Sequence, residues 1–172
     1  MKTDKPTTKI IAGKYKGKIL ELPSLDVTRS SKARLKESLF NVLQFDIIDK
    51  IFIESFAGSG SIGLEAISRG AKRAYFVELD RNSYQILLKN CKAVDMEKCQ
   101  TVQGNTFVQT PLFINFLKNS QDEIVLYIDP PFDYRDGMED IYDKSFSMIR
   151  NIEVDNIYMV IIEHISNLEV PE

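Results

Sequence analysis

The sequence has few residues that could form disulfides or bind a transition metal. Among its 172 residues are two cysteines, Cys91 and Cys99, and one histidine, His164. A zinc site needs about four ligands at short spacings, and a disulfide framework needs several cysteines. The sequence therefore predicts free thiols in a reducing cytoplasm and no metal site.

Long apolar runs are also missing. No stretch approaches the roughly 20 apolar residues of a membrane-spanning helix, and the N-terminal MKTDKPTTK lacks the apolar centre of a secretory signal. The composition, with 44% hydrophobic and 27% charged residues, is ordinary for a globular protein. We expect one domain that makes no contact with a membrane.

Acidic residues are scarce at the start of the chain. Residues 1–36 contain ten Lys and Arg against three acidic residues, a net charge of +7, whereas the remaining residues carry −10. A basic segment beside an acidic body indicates that one face meets a polyanion. Chance clustering on a solvated surface is the alternative that charge alone leaves open.

Hydrophobic patterns predict a short hairpin followed by alternating strands and helices. Residues 9–22 predict two short strands around Gly13–Gly17, and the apolar spacing in 31–44 predicts an amphipathic helix. The later predicted strands are 51–56, 73–79, 99–103, 124–129 and 157–165, and the later predicted helices are 61–70, 81–94, 106–119 and 138–150. Phenylalanines on apolar faces are expected in the core, namely Phe40, Phe45, Phe52, Phe56 and Phe76. The order predicts an α/β fold with a mostly parallel sheet covered on both faces.

The segment FAGSGSIG contains a G-x-G-x-x-G motif between a predicted strand and helix. Gly58, Gly60 and Gly63 would allow a tight turn and a close approach of backbone to ligand, and the helix N-terminus favours an anion. Glu78 ends the next strand and would reach ribose hydroxyls, whereas Asp80 is expected to cap the following helix. The loop predicts binding of NAD or of another adenosine-bearing ligand.

Glu54 is an acidic residue inside an otherwise apolar predicted strand, four residues before Gly58. A buried carboxylate is costly unless it is paired. A dehydrogenase loop has little use for it, whereas a ligand with an ammonium group does. S-adenosylmethionine has an ammonium, a ribose and an adenine, so Glu54 favours this cofactor over NAD.

The segment YIDPPFDY, residues 127–134, ends an apolar strand with an acid, two prolines and an aromatic ring. Pro130 and Pro131 cannot continue a central strand, so they would hold Asp129 rigidly at its exit. The lone pair of an exocyclic amino group is delocalised into the base. Acceptors on its hydrogens, from Asp129 and the Pro130 carbonyl, would direct the lone pair at a methyl group, and Phe132 would stack on a flipped base. Together with the glycine loop, the segment predicts a methyl-transfer site in a crevice at the carboxyl ends of neighbouring strands.

Nearly the whole chain resembles the RsmD family of bacterial 16S rRNA (guanine(966)-N(2))-methyltransferases, a class I group dependent on S-adenosylmethionine. The resemblance rests on KIIAGKYKGKIL, TRSSKARLKESLFNVL, FAGSGSIGLEAISRGA, FVELD and DPPF. It implies a Rossmann-like fold in which residues 1–24 form a basic β-hairpin extension and residues 25–172 the methyltransferase domain, within a single domain overall. It also implies a cytoplasmic monomer that methylates a guanine N2 in 16S rRNA, in an assembling or assembled small ribosomal subunit.

The resemblance assigns roles residue by residue. The implied catalytic residues are Asp129, Pro130, Pro131 and Phe132. The implied cofactor-binding residues are Glu54, Ala57, Gly58, Gly60, Glu78, Leu79, Asn105 and Thr106, with the turn at 104–106 against the adenine. The implied RNA-binding residues are Lys14, Tyr15, Lys16, Lys18, Arg29 and Arg34. Thr28, Arg29 and Arg34 would lie near either the methionine part of the cofactor or an RNA phosphate.

The sequence departs from the family pattern at three places. Glu54 and Asn105 stand where the family usually has Asp, and the chain ends soon after the fifth strand of the predicted sheet, without the family's usual closing pair of strands. Other functions stay open at this point. They are methyl transfer to adenine N6 in DNA or to another amine, a nicotinamide oxidoreductase that would leave Glu54 and DPPF without a role, and a binding module without activity.

Overall fold

The computed structural model describes residues 5–23, 29–131 and 140–164, and at residues 29–31 it describes the backbone only. The strands are β1 (Thr7–Lys9), β2 (Ile19–Glu21), β3 (Ile51–Glu54), β4 (Arg73–Glu78), β5 (Cys99–Gln103), β6 (Ile124–Ile128) and β7 (Ile157–Ile162). The helices are α1 (Arg29–Val42), α2 (Ser61–Ser68), α3 (Arg81–Val94), α4 (Thr106–Leu117) and α5 (Ile141–Arg150). The predicted alternation of strands and helices is confirmed.

Five parallel strands form the main sheet in the order β5-β4-β3-β6-β7, and β1 and β2 form a separate antiparallel hairpin. Every residue of β3 and of β6 is buried, as expected for central strands covered on both faces. One face packs against α1, α2, α3 and the hairpin, and the other packs against α4 and α5. The predicted α/β class and parallel sheet are therefore confirmed.

The hairpin packs against α2 and against the face of the sheet that α1, α2 and α3 cover. Ile10 and Leu20 are buried in the same cluster as the sheet residues. Gly13 has φ +87°, and a Cβ at this position would lie 1.9 Å from the Ser68 carbonyl oxygen. Lys14 N–H donates to that same carbonyl at 2.8 Å. Glycine is thus required where the turn of the hairpin touches the end of α2.

A buried cluster of charges joins the hairpin, α1 and α2. Glu65 is fully buried and accepts hydrogen bonds from Ile11 N–H at 2.8 Å and Ala12 N–H at 3.4 Å. Its carboxyl also lies 3.7 Å from Lys36 Nζ and 3.6 Å from Arg69 Nε. Lys36 is only 4% exposed, and burial lowers the pKa of its amine, with the nearby Glu65 charge acting against that shift. The sequence pattern gave no indication of this cluster.

The predicted apolar core is wrong at one phenylalanine. Phe40, Phe52 and Phe76 are buried and Phe56 is half-buried, but Phe45 is 77% exposed. The physical reason is that α1 ends at Val42, so Phe45 lies in the following turn and no longer follows the helical period.

The structure gives no sign of a transmembrane helix in the part of the chain that it describes. None of the helices there is both long enough and apolar enough to cross a bilayer.

Candidate active site

Four adjacent strands end in acidic residues that lie on one face of the sheet. Glu78 ends β4 and Glu54 ends β3, while Asp129 and Glu163 directly follow β6 and β7. The parallel register pairs Glu54 with Phe76 and with Tyr127, and Tyr127 with Ile161, so side chains two residues further along these strands share that face. The charges of Asp129 and Glu78 both act on the Glu54 carboxyl. The structure therefore brings the two predicted motifs together at the carboxyl edge of the sheet.

The glycines of the loop after β3 have different physical roles. A Cβ on Gly60 would lie 2.5 Å from Leu87 Cδ1, and one on Gly63 would lie 2.4 Å from the Phe76 ring. These two glycines let α2 and α3 pack closely on the sheet. Gly58 has φ +54°, and a Cβ there would meet nothing within 4 Å. The open space beside Gly58 is where the backbone of the loop can approach a ligand.

Glu78 is tied to the glycine loop by backbone hydrogen bonds. Its Oε2 accepts from Gly58 N–H at 2.6 Å and its Oε1 from Asp80 N–H at 3.0 Å. Asp80 caps α3 by accepting from Ser83 N–H at 2.8 Å, and this bond lowers the pKa of the Asp80 carboxyl. Asp80 is therefore the helix cap that the sequence predicts, and each Glu78 oxygen keeps a lone pair for a ligand hydroxyl. Leu79, beside Glu78, is 61% exposed and offers an apolar surface at the same edge.

Glu54 is buried and hydrogen-bonded to the first turn of α2. It is 3% exposed, and its Oε2 accepts from Gly63 N–H at 2.8 Å. Burial raises the pKa of this carboxyl well above its usual value, and the Gly63 hydrogen bond acts in the opposite direction. The predicted contact of Glu54 with a ligand's ammonium group stays a prediction.

Three further residues predicted to bind the cofactor line the loops around this edge. Ala57 is buried, and its N–H donates to the Val77 carbonyl at 2.9 Å. Asn105 caps α4, with Oδ1 accepting from Phe107 N–H at 2.9 Å. Thr106 is buried, and its hydroxyl donates to the carbonyl of Ser55. The Thr106 side chain thus fastens α4 to the end of β3, and Asn105 keeps its amide N–H groups for a ligand.

The segment after β6 carries the predicted catalytic residues. Asp129 is exposed, Pro130 is buried and Pro131 is half-buried, while Phe132 lies outside the described residues. Although Asp129 has open surface, the protein around its carboxyl removes enough water to raise the pKa to about 7, and the charge of Glu163 adds to this effect while Lys32 opposes it. The pairing of β6 with β7, continued by the Glu163 N–H that donates to the Ile128 carbonyl at 2.8 Å, sets Glu163 beside Asp129.

The predicted RNA-binding residues of the hairpin lie mostly on the surface. Lys14, Lys16 and Lys18 are exposed. Tyr15 is half-buried, and its hydroxyl donates to Asp95 Oδ2 at 2.9 Å. That bond pins the hairpin to the end of α3, so the Tyr15 hydroxyl already has a structural role.

The predicted residues near the start of α1 are described only in part. Arg34 is exposed on α1. Arg29 begins the helix, but its side chain is not described, and Thr28 lies outside the described residues. Their contacts stay a prediction.

Sequence reasoning missed Glu163 and Tyr127. Glu163 accepts a hydrogen bond from the Tyr127 hydroxyl and neighbours Asp129. Two signals were available in the sequence. Glu163 directly follows the apolar run of β7, just as Asp129 directly follows the apolar run of β6. Tyr127 lies two residues before Asp129, which places both side chains on the same face of the sheet.

A cavity of about 710 Å³ opens between α4 and α5, on the other face of the sheet. Apolar residues such as Phe107, Ile114 and Met148 line it, and Asn105 is the residue it shares with the predicted cofactor site. Among the described residues, no group of three or more His, Cys, Asp or Glu side chains could hold a metal ion. The acidic edge of the sheet carries both predicted motifs, whereas the cavity shares one predicted residue with them, so the edge is the better candidate for chemistry.

Comparison with known proteins finds relatives over most of this chain. A family model described as Conserved hypothetical protein 95 matches residues 8–172. Ribosomal RNA small subunit methyltransferase D of Haemophilus influenzae is 38% identical over 133 residues, 76% of this chain and 66% of that protein. The protein of the same name from Escherichia coli K12 is 34% identical over 125 residues, 72% of this chain and 60% of that protein. The match thus spans less than two thirds of the length of either relative.

A solved structure has the same fold. The Escherichia coli protein yhhF, which is named as a methyltransferase without a stated substrate, superimposes on this chain with a TM-score of 0.69 at 30% identity. The superposition covers 96% of this chain and 86% of that one. This likeness confirms the predicted methyltransferase-type α/β fold.

Proposed function

Because this chain belongs to the family described as Conserved hypothetical protein 95, we propose that it methylates the exocyclic N2 of a guanine in small-subunit 16S rRNA, using S-adenosylmethionine. It would act as a monomer in the cytoplasm, on an assembling or assembled small subunit. One observation carries the proposal beyond the names of its relatives. The open face of Gly58, with Glu78 beside it, and the Asp129-Pro130 segment lie at the carboxyl ends of adjacent strands.

The residues at this edge fit S-adenosylmethionine. Gly58 leaves room for the cofactor to lie close to the backbone of the loop, and Glu78 is oriented by two backbone N–H groups to accept from ribose hydroxyls. Leu79 and Asn105 would contact the adenine. When bound, this cofactor supplies an electrophilic methyl group on a sulfonium sulfur, and the acidic edge favours its positive charge.

Asp129 and Pro130 would orient the acceptor. The Asp129 carboxylate and the Pro130 carbonyl each accept one hydrogen of the amino group, which turns the nitrogen lone pair away from the ring and toward the methyl group. The predicted stacking of the base on Phe132 would hold a flipped guanine in that position. As the nitrogen is methylated it loses one proton, and Asp129 is the nearest predicted acceptor for it. Positioning and electrostatics would supply most of the rate gain.

The position of Glu54 changes the grounds for preferring methyl transfer to hydride transfer. Since Glu54 is 3% exposed and bonded to Gly63 N–H, it does not by itself favour a ligand with an ammonium group. What favours methyl transfer is the Asp129-Pro130 segment, for which a nicotinamide site has no use.

The test is transfer of a tritiated methyl group from S-adenosylmethionine to unmodified 30S particles, naked 16S rRNA and duplex DNA. We expect label as N2-methylguanine in 16S rRNA or in the particles. Label in DNA adenine would overturn the proposed substrate and keep the chemistry. Binding of NAD instead of S-adenosylmethionine in a cofactor titration would overturn both.

Binding of 16S rRNA is expected to depend on the hairpin lysines. Replacing Lys14, Lys16 and Lys18 together with Gln should reduce the slope of log affinity against log salt concentration by about 2, at about 0.7 for each lost phosphate contact. The measurement is a filter-binding titration at several salt concentrations. A matched control replaces three exposed lysines outside the hairpin, Lys72, Lys118 and Lys144. Equal slopes for the two triple variants would remove the hairpin from the RNA-binding surface.

A further inference from the structure

Glu163 lies across from Asp129 at the exit of the neighbouring strand. The register of β6 and β7 pairs Tyr127 with Ile161 and Ile128 with Ile162. Glu163 N–H then donates to the Ile128 carbonyl at 2.8 Å, so the pairing continues one residue beyond the strands. This backbone pairing sets Glu163 beside Asp129 independently of any side-chain contact.

A buried tyrosine holds the Glu163 carboxyl in place. Tyr127 is 1% exposed, and its ring stacks on Phe52 with centroids 6.0 Å apart and planes at 27°. Its hydroxyl donates to Glu163 Oε1. Because the ring is fixed by the core, the donor is fixed too, and a hydrogen bond to a charged acceptor is stronger than a neutral one.

The Asp129 and Glu163 carboxyls are close enough for the charge of Glu163 to raise the pKa of Asp129. Two carboxylates repel, and the first proton that such a pair takes up can lie between them. Among the described residues, Glu163 after β7, Tyr127 of β6, Glu54 of β3 and Lys32 of α1 interact electrostatically with Asp129. The charge of Lys32 lowers the pKa of Asp129, whereas the loss of water and the charge of Glu163 raise it, so Asp129 is ionised above about pH 7 and holds a proton below it.

Resting on the proposed function, we propose that Glu163 is a positioning residue of the methyl-transfer site. It holds the Asp129 carboxylate toward the acceptor's amino group and shares with Asp129 the proton that the reaction releases. In the reaction, a bond forms between the amino nitrogen and the methyl carbon, and the methyl–sulfur bond breaks with its electron pair left on sulfur. The nitrogen then loses one proton to Asp129, which takes the carboxyl pair from fully ionised to singly protonated. Release of that proton to water restores the pair.

The test is the Glu163→Gln variant of the full chain, with two readouts. The first is the titration of the Asp129 carboxyl carbon by NMR in protein labelled with ¹³C-aspartate, the signal being assigned by its loss in Asp129→Asn. The second is the pH dependence of kcat for methyl transfer. Gln removes the neighbouring charge and can donate to the Asp129 carboxylate, so the Asp129 midpoint should fall by at least about one pH unit. The midpoint of the acid limb in the pH profile of kcat should move to lower pH by the same amount, while the KM for the cofactor changes less than about twofold.

Two further variants separate positioning from loss of structure. Tyr127→Phe removes only the hydroxyl that holds Glu163 and should move the midpoint in the same direction by a smaller amount. Glu153→Gln, at an exposed position before β7, should leave both readouts unchanged. Thermal unfolding establishes that each variant is folded, and Tyr127→Phe replaces Glu163→Gln if the latter is not.

The outcomes distinguish this inference from the proposed function. An unchanged Asp129 midpoint in Glu163→Gln would overturn the shared proton, whether or not the protein transfers methyl groups. A shifted midpoint with an unshifted acid limb of kcat would overturn the role of Glu163 in transfer. Wild-type protein that methylates no acceptor would overturn the proposed function, and with it the positioning role, even where the midpoint shifts.

Discussion

Replacing Asp129 with Asn is expected to lower kcat for methyl transfer by about 10²- to 10⁴-fold and to leave cofactor binding nearly unchanged. Asn has the shape of Asp but no negative charge. It can present an N–H donor where the amino group needs an acceptor, so the amino group is no longer oriented. This loss raises the energy of the transition state, in which the bond to the methyl group forms, and does not affect binding of the cofactor. A loss confined to kcat is the signature of an interaction made in the transition state.

The measurement is single-turnover transfer of labelled methyl groups at saturating cofactor, with calorimetry for cofactor affinity. Asp143→Asn, an exposed acid on α5, is the matched control and should behave as wild type. A rate for Asp129→Asn within about threefold of wild type would contradict the assigned role.

The raised pKa of Asp129 predicts how the rate of methyl transfer and the stability of the protein change with pH. The loss of water around the carboxyl, together with the charge of Glu163, raises the pKa of Asp129 to about 7, and the ionised carboxyl is the form that accepts hydrogen bonds. The rate should therefore rise with pH through about 7 and level off above it.

Because the pKa of Asp129 is raised in the folded protein, the folded state binds this proton more tightly than the unfolded chain does. Stability from this group is present at acid pH and is lost as pH rises from about 4 to about 7. Asp129→Asn should accordingly gain stability relative to wild type at pH 8 and not at pH 4.

Replacing Glu65 with Leu is expected to lower the free energy of unfolding by about 3–5 kcal/mol. Glu65 is fully buried, and its removal leaves the buried amine of Lys36 and the guanidinium of Arg69 without their ion-pair partner. The N–H groups of Ile11 and Ala12 lose their acceptor as well. The cost therefore comes mainly from the groups left unpaired rather than from the lost attraction.

Urea unfolding of Glu65→Leu, Lys36→Met and the double variant measures this effect. The double variant should recover a large part of the loss, because replacing a buried ion pair by apolar side chains is often neutral or favourable. Glu37→Leu, at an exposed position next to Lys36 on α1, should change stability little and is the control. A loss below about 1 kcal/mol in Glu65→Leu would show that water reaches Lys36. Since Glu65 holds the hairpin, its loss should also weaken RNA binding more than cofactor binding.

Much of the fold and of the candidate site could be predicted from local patterns. The period of the apolar residues predicts the alternation of strands and helices, and the glycine and proline motifs predict loops at strand exits. Asp80 as a helix cap follows from its place directly before an amphipathic run, and the structure shows that bond at 2.8 Å. These predictions depend on residues close together in sequence, where steric and capping rules are strong.

Other features could not be predicted because they depend on which distant residues meet. Phe45 fits an apolar pattern but follows the end of α1 and is exposed. Lys36 and Glu65 look like surface charges until α1, α2 and the hairpin enclose them. Glu54 is predicted from the sequence to contact a ligand, and only the tertiary structure shows that the Gly63 N–H donates to it.

By itself, the sequence determined the fold class, the two motifs and the strands that carry them, since apolar period, glycine and proline act locally. Only the tertiary structure decided which carboxyl groups share the active edge, and which of them is buried, exposed or paired. Strand order and register bring Glu163 next to Asp129 from 34 residues away along the chain. The ionisation of a carboxyl depends on the water and charge around it, and in this protein strands distant in sequence supply both.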